Sequence, residues 1–207
     1  MKWEKIFVIG FNKTATSTFH KIFCDIGLRS QHSPKKWDTD TYDCFSDNGN
    51  LQDAEFLKEK YPKSLFILNT RSLEKWLLSR SKHCAPDEFG NFKSWGWPPS
   101  ASLFVEWILD RHYHFNKILT LFKDCPDRLV IISIDRPNWQ KFLAKVIGFQ
   151  FERKIFENTT RKSKNYEQII DSINKSFEIL KIKNIERNHE FIDHDMTKIY
   201  RKNIVQI

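Results

Sequence analysis

The sequence predicts an α/β protein: one domain with a central parallel sheet and helices on both faces. Three observations predict it. Short apolar runs of strand character, at residues 5–10, 64–70 and 128–134, alternate with segments whose apolar residues recur at helical spacing. The chain has 207 residues, the length of one domain and enough to bury a sizeable core. Hydrophobic residues make up 40% and charged residues 29%, a globular balance that disfavours disorder. Seven Trp and eighteen Phe also predict a core or cleft rich in rings.

Each element follows in order. "KIFVIG", residues 5–10, reads as a short buried strand. Thr16 to Asp25 reads as a helix with Phe19, Ile22, Phe23 and Ile26 at helical spacing and Gly27 as its stop. "LRSQHS", 28–33, is a weakly patterned second strand. Residues 34–50 are polar and turn-rich and read as a surface loop long enough to be functional. A helix from Leu51 to Lys60 ends before Pro62, and "SLFILNT", 64–70, is the clearest strand of the chain. Leu73 to His83 reads as a helix rich in Leu and Trp, followed by a Gly- and Pro-punctuated loop over 85–100. Next come a long helix over 101–123, a strand over 128–134, and a helix that Pro137 opens and Gly148 closes. A basic loop, "FENTTRKSKN", then leads to a helix over 165–183 within the segment 151–207. In such a fold ligands sit beyond the carboxyl ends of the strands, where Lys13, Arg71, Asp135 and Arg136 fall.

Charge and cysteine usage narrow the function classes. The formal net charge is +8. Residues 1–150 carry 22 basic against 17 acidic residues, and 151–207 carry 12 against 9, so the excess follows length. That spread fits a bias towards an anionic ligand and disfavours a dedicated nucleic-acid or membrane arm. Cys24, Cys44, Cys84 and Cys125 are widely separated, with no C-x-x-C pair, and read as reduced thiols. No secretory h-region opens the chain and no apolar run is long enough to span a bilayer, which predicts a soluble, cytoplasmic protein. No metal is expected. "HEFIDH", 189–194, misses H-E-x-x-H by one residue, and His112 and His114 diverge on a helix.

The chemistry concentrates in "FVIGFNKTATSTFHKIF", residues 7–23, where a strand turns into a helix through one glycine and a run of hydroxyl residues. A helix start offers unpaired N–H groups and a positive dipole end, which suit phosphate. An ATP loop of the Walker kind places its lysine six residues after the first glycine and beside a second glycine. Here Lys13 stands three residues after Gly10 with no glycine beside it, so an ATP-dependent kinase is poorly supported. Lys13, Thr14, Thr16, Ser17 and Thr18 nonetheless converge a point charge and several donors on one anion. Sixty residues on, "FILNTRSLEKWLLSRSKH" puts Arg71 at a strand end and Ser79 eight residues later on the following helix.

Together the two segments resemble the nucleotide-binding signature of the sulfotransferases that use 3′-phosphoadenosine 5′-phosphosulfate (PAPS). The resemblance covers about residues 5–150, with the signature itself in 5–83. It implies a single domain of P-loop-kinase-like α/β fold, PAPS as donor, 3′,5′-ADP as product and no metal. Carried over, Lys13 contacts the phosphosulfate and its bridging oxygen. The loop from Asn12 through Thr14, Ala15, Thr16, Ser17 and Thr18 holds the 5′-phosphate. Arg71 and Ser79 take the 3′-phosphate. In many members a late basic segment closes over that phosphate, which makes Arg161 and Lys162 of "TTRKSK" candidates, although the usual glycine is missing.

Sulfuryl transfer is expected to run in line, with Lys13 stabilising the leaving group. A general base must take the acceptor's proton, and the family uses His or Glu. His32, after the second strand, ranks first; Asp43 ranks second, with Asp47 a further carboxylate in the same stretch. The expected acceptor is a hydroxyl or amine of a small molecule or carbohydrate, with a phenol, a lipid head group and a peptide also open, and the loops at 34–50 and 85–100 are expected to shape its pocket. Two alternatives stand beside this reading, a P-loop-like kinase and a non-catalytic nucleotide- or nucleic-acid-binding protein on the same fold.

Overall fold

The structure, a computed structural model, describes residues 2–84, 98–149 and 165–192. Among the described residues it holds a five-stranded, all-parallel sheet and seven α-helices. In chain order these are β1 Ile6–Val8, α1 Thr16–Asp25, β2 Ser30–His32, β3 Cys44–Ser46, α2 Ala54–Lys60, β4 Leu65–Thr70, α3 Leu73–His83, α4 Ala101–Leu121, β5 Leu129–Ser133, α5 Trp139–Ile147, α6 Tyr166–Ile179 and α7 Asn184–Arg187. The described residues group into two compact units, 2–71 with 114–149, and 72–84 with 98–113 and 165–192.

The first unit contains the sheet, in the order β2-β3-β1-β4-β5. Side chains alternate across a strand, so each strand feeds two cores. Ile6 and Val8, Cys44, Leu65 and Ile67 point to one face, where Phe19, Ile22 and Phe23 of α1 and Leu143 and Ile147 of α5 bury them. Phe7, Phe45 and Phe66 point to the other. There the Phe7 ring lies 5.1 Å from Phe45 and 5.0 Å from Phe66, with Trp37 at 5.7 Å, and Phe66 meets Phe122 at 4.7 Å. On this face the strands themselves supply the rings; on the other the strand side chains are aliphatic or Cys44, and the rings come from the helices, with Phe19 lying 5.0 Å from Trp139. Burying strands on both faces is what removes polar alternation from "IFV" and "LFIL" and makes them legible as apolar runs.

Several boundaries differ from the sequence reading. The stretch 34–50, expected as loop, contains β3, a central strand between β2 and β1. Three buried residues flanked by Asp43 and Asp47 carry too short a pattern to read. α2 begins at Ala54, because Asp53 caps it by accepting from the Phe56 N–H at 3.1 Å. A 3-10 turn over Gly49–Leu51 occupies the expected first turn. Pro137 lies in the turn before α5, and Asn138, at φ 66, is the residue that opens the helix. α4 and α6 are shorter than expected, and α7 forms in the stretch that followed. The stops hold: Gly27 and Gly148 sit at φ 80 and 79, the left-handed conformation that ends a helix.

The second unit is helical. Leu73 N–H donates to the His189 carbonyl, joining the start of α3 to the stretch after α7. Arg80 and Arg111 stack on the Trp76 ring, at 5.5 and 5.0 Å, and Arg111 donates to the Glu190 carbonyl at 3.1 Å. No helix among the described residues is long and apolar enough to cross a membrane.

Candidate functional site

β1 ends at Val8 in the middle of the sheet, and the chain turns from there into α1. The turn is fastened to β4. Asn69, fully buried, accepts from the Gly10 N–H through Oδ1 at 2.7 Å and donates through Nδ2 to the Thr14 carbonyl at 3.3 Å and to its hydroxyl. Thr14 in turn donates its hydroxyl to the Phe11 carbonyl. Gly10 is required by this approach, since a Cβ there would lie 2.2 Å from the Asn69 carbonyl oxygen. His114 Nε2 donates to the Ile9 carbonyl at 2.7 Å, which fixes the residue that follows β1. Burial pulls the His114 pKa below the usual histidine range.

Within the turn, Lys13 and Ala15 both sit at φ 64, while Thr14 between them does not have positive φ. Alternation of backbone hand is the element from which anion-binding nests are built, and this turn places two left-handed residues at the start of α1. Ala15 stands at the N-cap of α1 and makes no side-chain cap. The first α1 bond runs from Phe19 N–H to the Ala15 carbonyl at 3.0 Å, so the amides of Thr16, Ser17 and Thr18 lack acceptors within the helix. Arg71, after β4, donates to the Lys13 carbonyl at 3.4 Å and pairs with Asp135 at 3.7 Å. Burial lowers its guanidinium pKa and Asp135 partly offsets that. Lys13, the loop and Arg71 therefore meet at the carboxyl ends of β1 and β4.

His32 joins them from β2. Its Nε2 shares a hydrogen bond with Ser17 Oγ at 3.3 Å, and its Nδ1 shares one with Ser46 Oγ at 3.1 Å, the register partner on β3. The His20 ring stacks on it at 5.3 Å; burial first, and the His32 charge second, lower the His20 pKa.

Asp43 corrects the sequence reading. It precedes β3 at the amino end of the sheet, where Arg29 binds it twice at 2.8 Å and Lys5 approaches to 3.7 Å. The Arg29 hydrogen bond, the leading cause, holds its pKa below the usual carboxylate range. The carboxylate brought to the loop is Asp47, four residues on at the carboxyl end of β3: its Oδ1 accepts from Thr16 Oγ1 at 3.2 Å. One strand length decides which end of a parallel sheet a side chain reaches. Thr14 also differs from expectation, because its hydroxyl is committed to Phe11 and Asn69.

Asn12 occupies the turn between β1 and α1, half-buried, and Thr18 is buried on α1. Ser79 lies on α3, half-buried, in the second unit. Arg161, Lys162, most of the 85–100 loop and His194 lie outside the described residues. Among the described residues no group of three or more His, Cys, Asp or Glu is arranged to hold a metal ion. Asn69 and Ser46 were missed in the sequence; the one available signal was a polar side chain inside or at the end of an otherwise apolar strand. No protein-family model and no curated protein matches this chain.

Proposed function

We propose that the chain is a sulfotransferase that moves a sulfuryl group from PAPS to a hydroxyl or amine of a small-molecule or carbohydrate acceptor. The observation that carries the reading is the β1–α1 turn, in which left-handed Lys13 and Ala15, the uncapped start of α1 and Arg71 share one place. The amides of the turn and the hydroxyls of Thr16 and Ser17 hold the 5′-phosphosulfate. Lys13 stabilises the charge that develops on the bridging oxygen as the S–O bond to the phosphate breaks. His32 takes the acceptor's proton as the new S–O bond, or S–N bond for an amine, forms, and Ser46 orients its ring from the other nitrogen. The assignment of Arg71 to the 3′-phosphate, like those of Ser79, Arg161 and Lys162, rests on the resemblance; Asp135, paired with Arg71 at 3.7 Å, already offsets part of its charge.

A nucleotide melting comparison tests the reading. At a concentration about 100 times its dissociation constant, 3′,5′-ADP contributes roughly 2.7 kcal/mol. At about 2–4 °C per kcal/mol for a chain of this size, the melting temperature rises by about 5–10 °C. ATP with Mg²⁺ is expected to give little shift. A rise with ATP and none with 3′,5′-ADP sinks the assignment in favour of a kinase.

A further inference from the structure

A carboxylate beside an anion loop demands a reason. Asp47 accepts from Thr16 Oγ1 at 3.2 Å and from Ser33 Oγ at 2.9 Å, and among the described residues it forms no ion pair. α1 has no acidic residue in its first turn and no side-chain cap, so the charge that answers its positive end comes from β3 instead. The backbone holds Asp47 there. Asp47 and Asn48 are both left-handed, at φ 67 and 56, and Gly49 is pressed so close to β1 that a Cβ would lie 2.4 Å from the Val8 carbonyl oxygen. Trp37 Nε1 donates to the Asp47 carbonyl at 3.3 Å.

We propose that Asp47 is an internal counter-anion that sets the affinity of the donor site. Before the donor binds, its carboxylate engages Thr16 and the positive end of α1. The same hydroxyl and the same dipole serve an incoming phosphosulfate, so donor and carboxylate compete and repel. The repulsion persists with the product and speeds the departure of 3′,5′-ADP. A residue that only positioned Thr16 would strengthen anion binding; a counter-anion weakens it, and the two roles predict opposite signs. The inference rests on the sulfotransferase reading for the identity of the anion, and on Asp47 geometry for the effect.

The test is titration calorimetry with 3′,5′-ADP on the wild type and Asp47→Asn, paired with thermal stabilisation by inorganic sulfate. Asn keeps the size and one acceptor while removing the charge. With one like charge removed from beside the bound anion, Asp47→Asn is expected to bind 3′,5′-ADP about 3- to 30-fold tighter. The gain shrinks as salt rises, a response that a lost hydrogen bond alone would not produce. Equal or weaker binding by Asp47→Asn overturns the proposal. If the wild type binds no 3′,5′-ADP, the sulfotransferase reading falls, and the sulfate arm still decides: greater stabilisation of Asp47→Asn upholds the counter-anion, and equal or smaller stabilisation removes it. Should Asp47→Asn fail to fold, Asp47→Ser, which also drops the charge, is read by the same criteria.

Discussion

Lys13 and His32 were both legible as candidates from residue type and place in the sequence. What they touch was not. His32 is held between Ser17 and Ser46, and only the parallel pairing of β2 with β3 brings Ser46 to its Nδ1. Asp43 and Asp47 are chemically alike and four residues apart, yet one ends in an Arg29 ion pair and the other against Thr16. Turnover with labelled PAPS and an accepted substrate separates the roles. Lys13→Ala is expected to lower turnover about 10²–10³-fold, the usual cost of one electrostatic donor. His32→Ala is expected to abolish transfer while 3′,5′-ADP still binds, and Asp43→Asn to leave the rate near wild type. Loss of transfer in Asp43→Asn with His32→Ala unaffected would reverse the assignment of the base.

At the scale of elements, strands and helices with long periodic patterns were readable because period 2 and period 3.6 are local properties of the chain. α1 is such a case; β4, buried on both faces, was readable instead as an unbroken apolar run of four residues, "LFIL". β3 was not, because a three-residue strand buried on both faces has no period to detect and its flanks are polar. The start of α2 was misread for a related reason: apolar Leu51 suggested a first turn, whereas Asp53 supplies the cap. Asp53→Ala is expected to cost about 1 kcal/mol. Calorimetric melting should then fall by about 2–4 °C. An unchanged melting temperature would show that packing of Ala54 and Leu57, rather than the cap, sets the helix start.

Across the whole molecule, half-buried histidine couples stability to pH. His114 has its folded pKa lowered by burial, and His20 likewise, from an ordinary value near 6.5. Below that value the unfolded chain binds protons that the folded chain refuses, so this contribution is complete above about pH 6.5 and is lost as the pH falls towards the folded value. Melting temperature is expected to drop on acidification from pH 7 to 5, and His114→Gln, which keeps a donor for the Ile9 carbonyl, to flatten that slope. An identical slope in the variant would place the acid sensitivity elsewhere. By itself the sequence determined the α/β class, most of the helices and strands, and a loop whose lysine and hydroxyls suit an anion at a helix start. Those features are written in neighbouring residues. Only the tertiary structure decided that Asn69 clamps the loop, that Arg71 meets Lys13, and that Asp47 rather than Asp43 faces Thr16. These depend on strand order, and the insertion of β3 between β1 and β2 is settled by burial of both sheet faces together, which no local window of the chain contains.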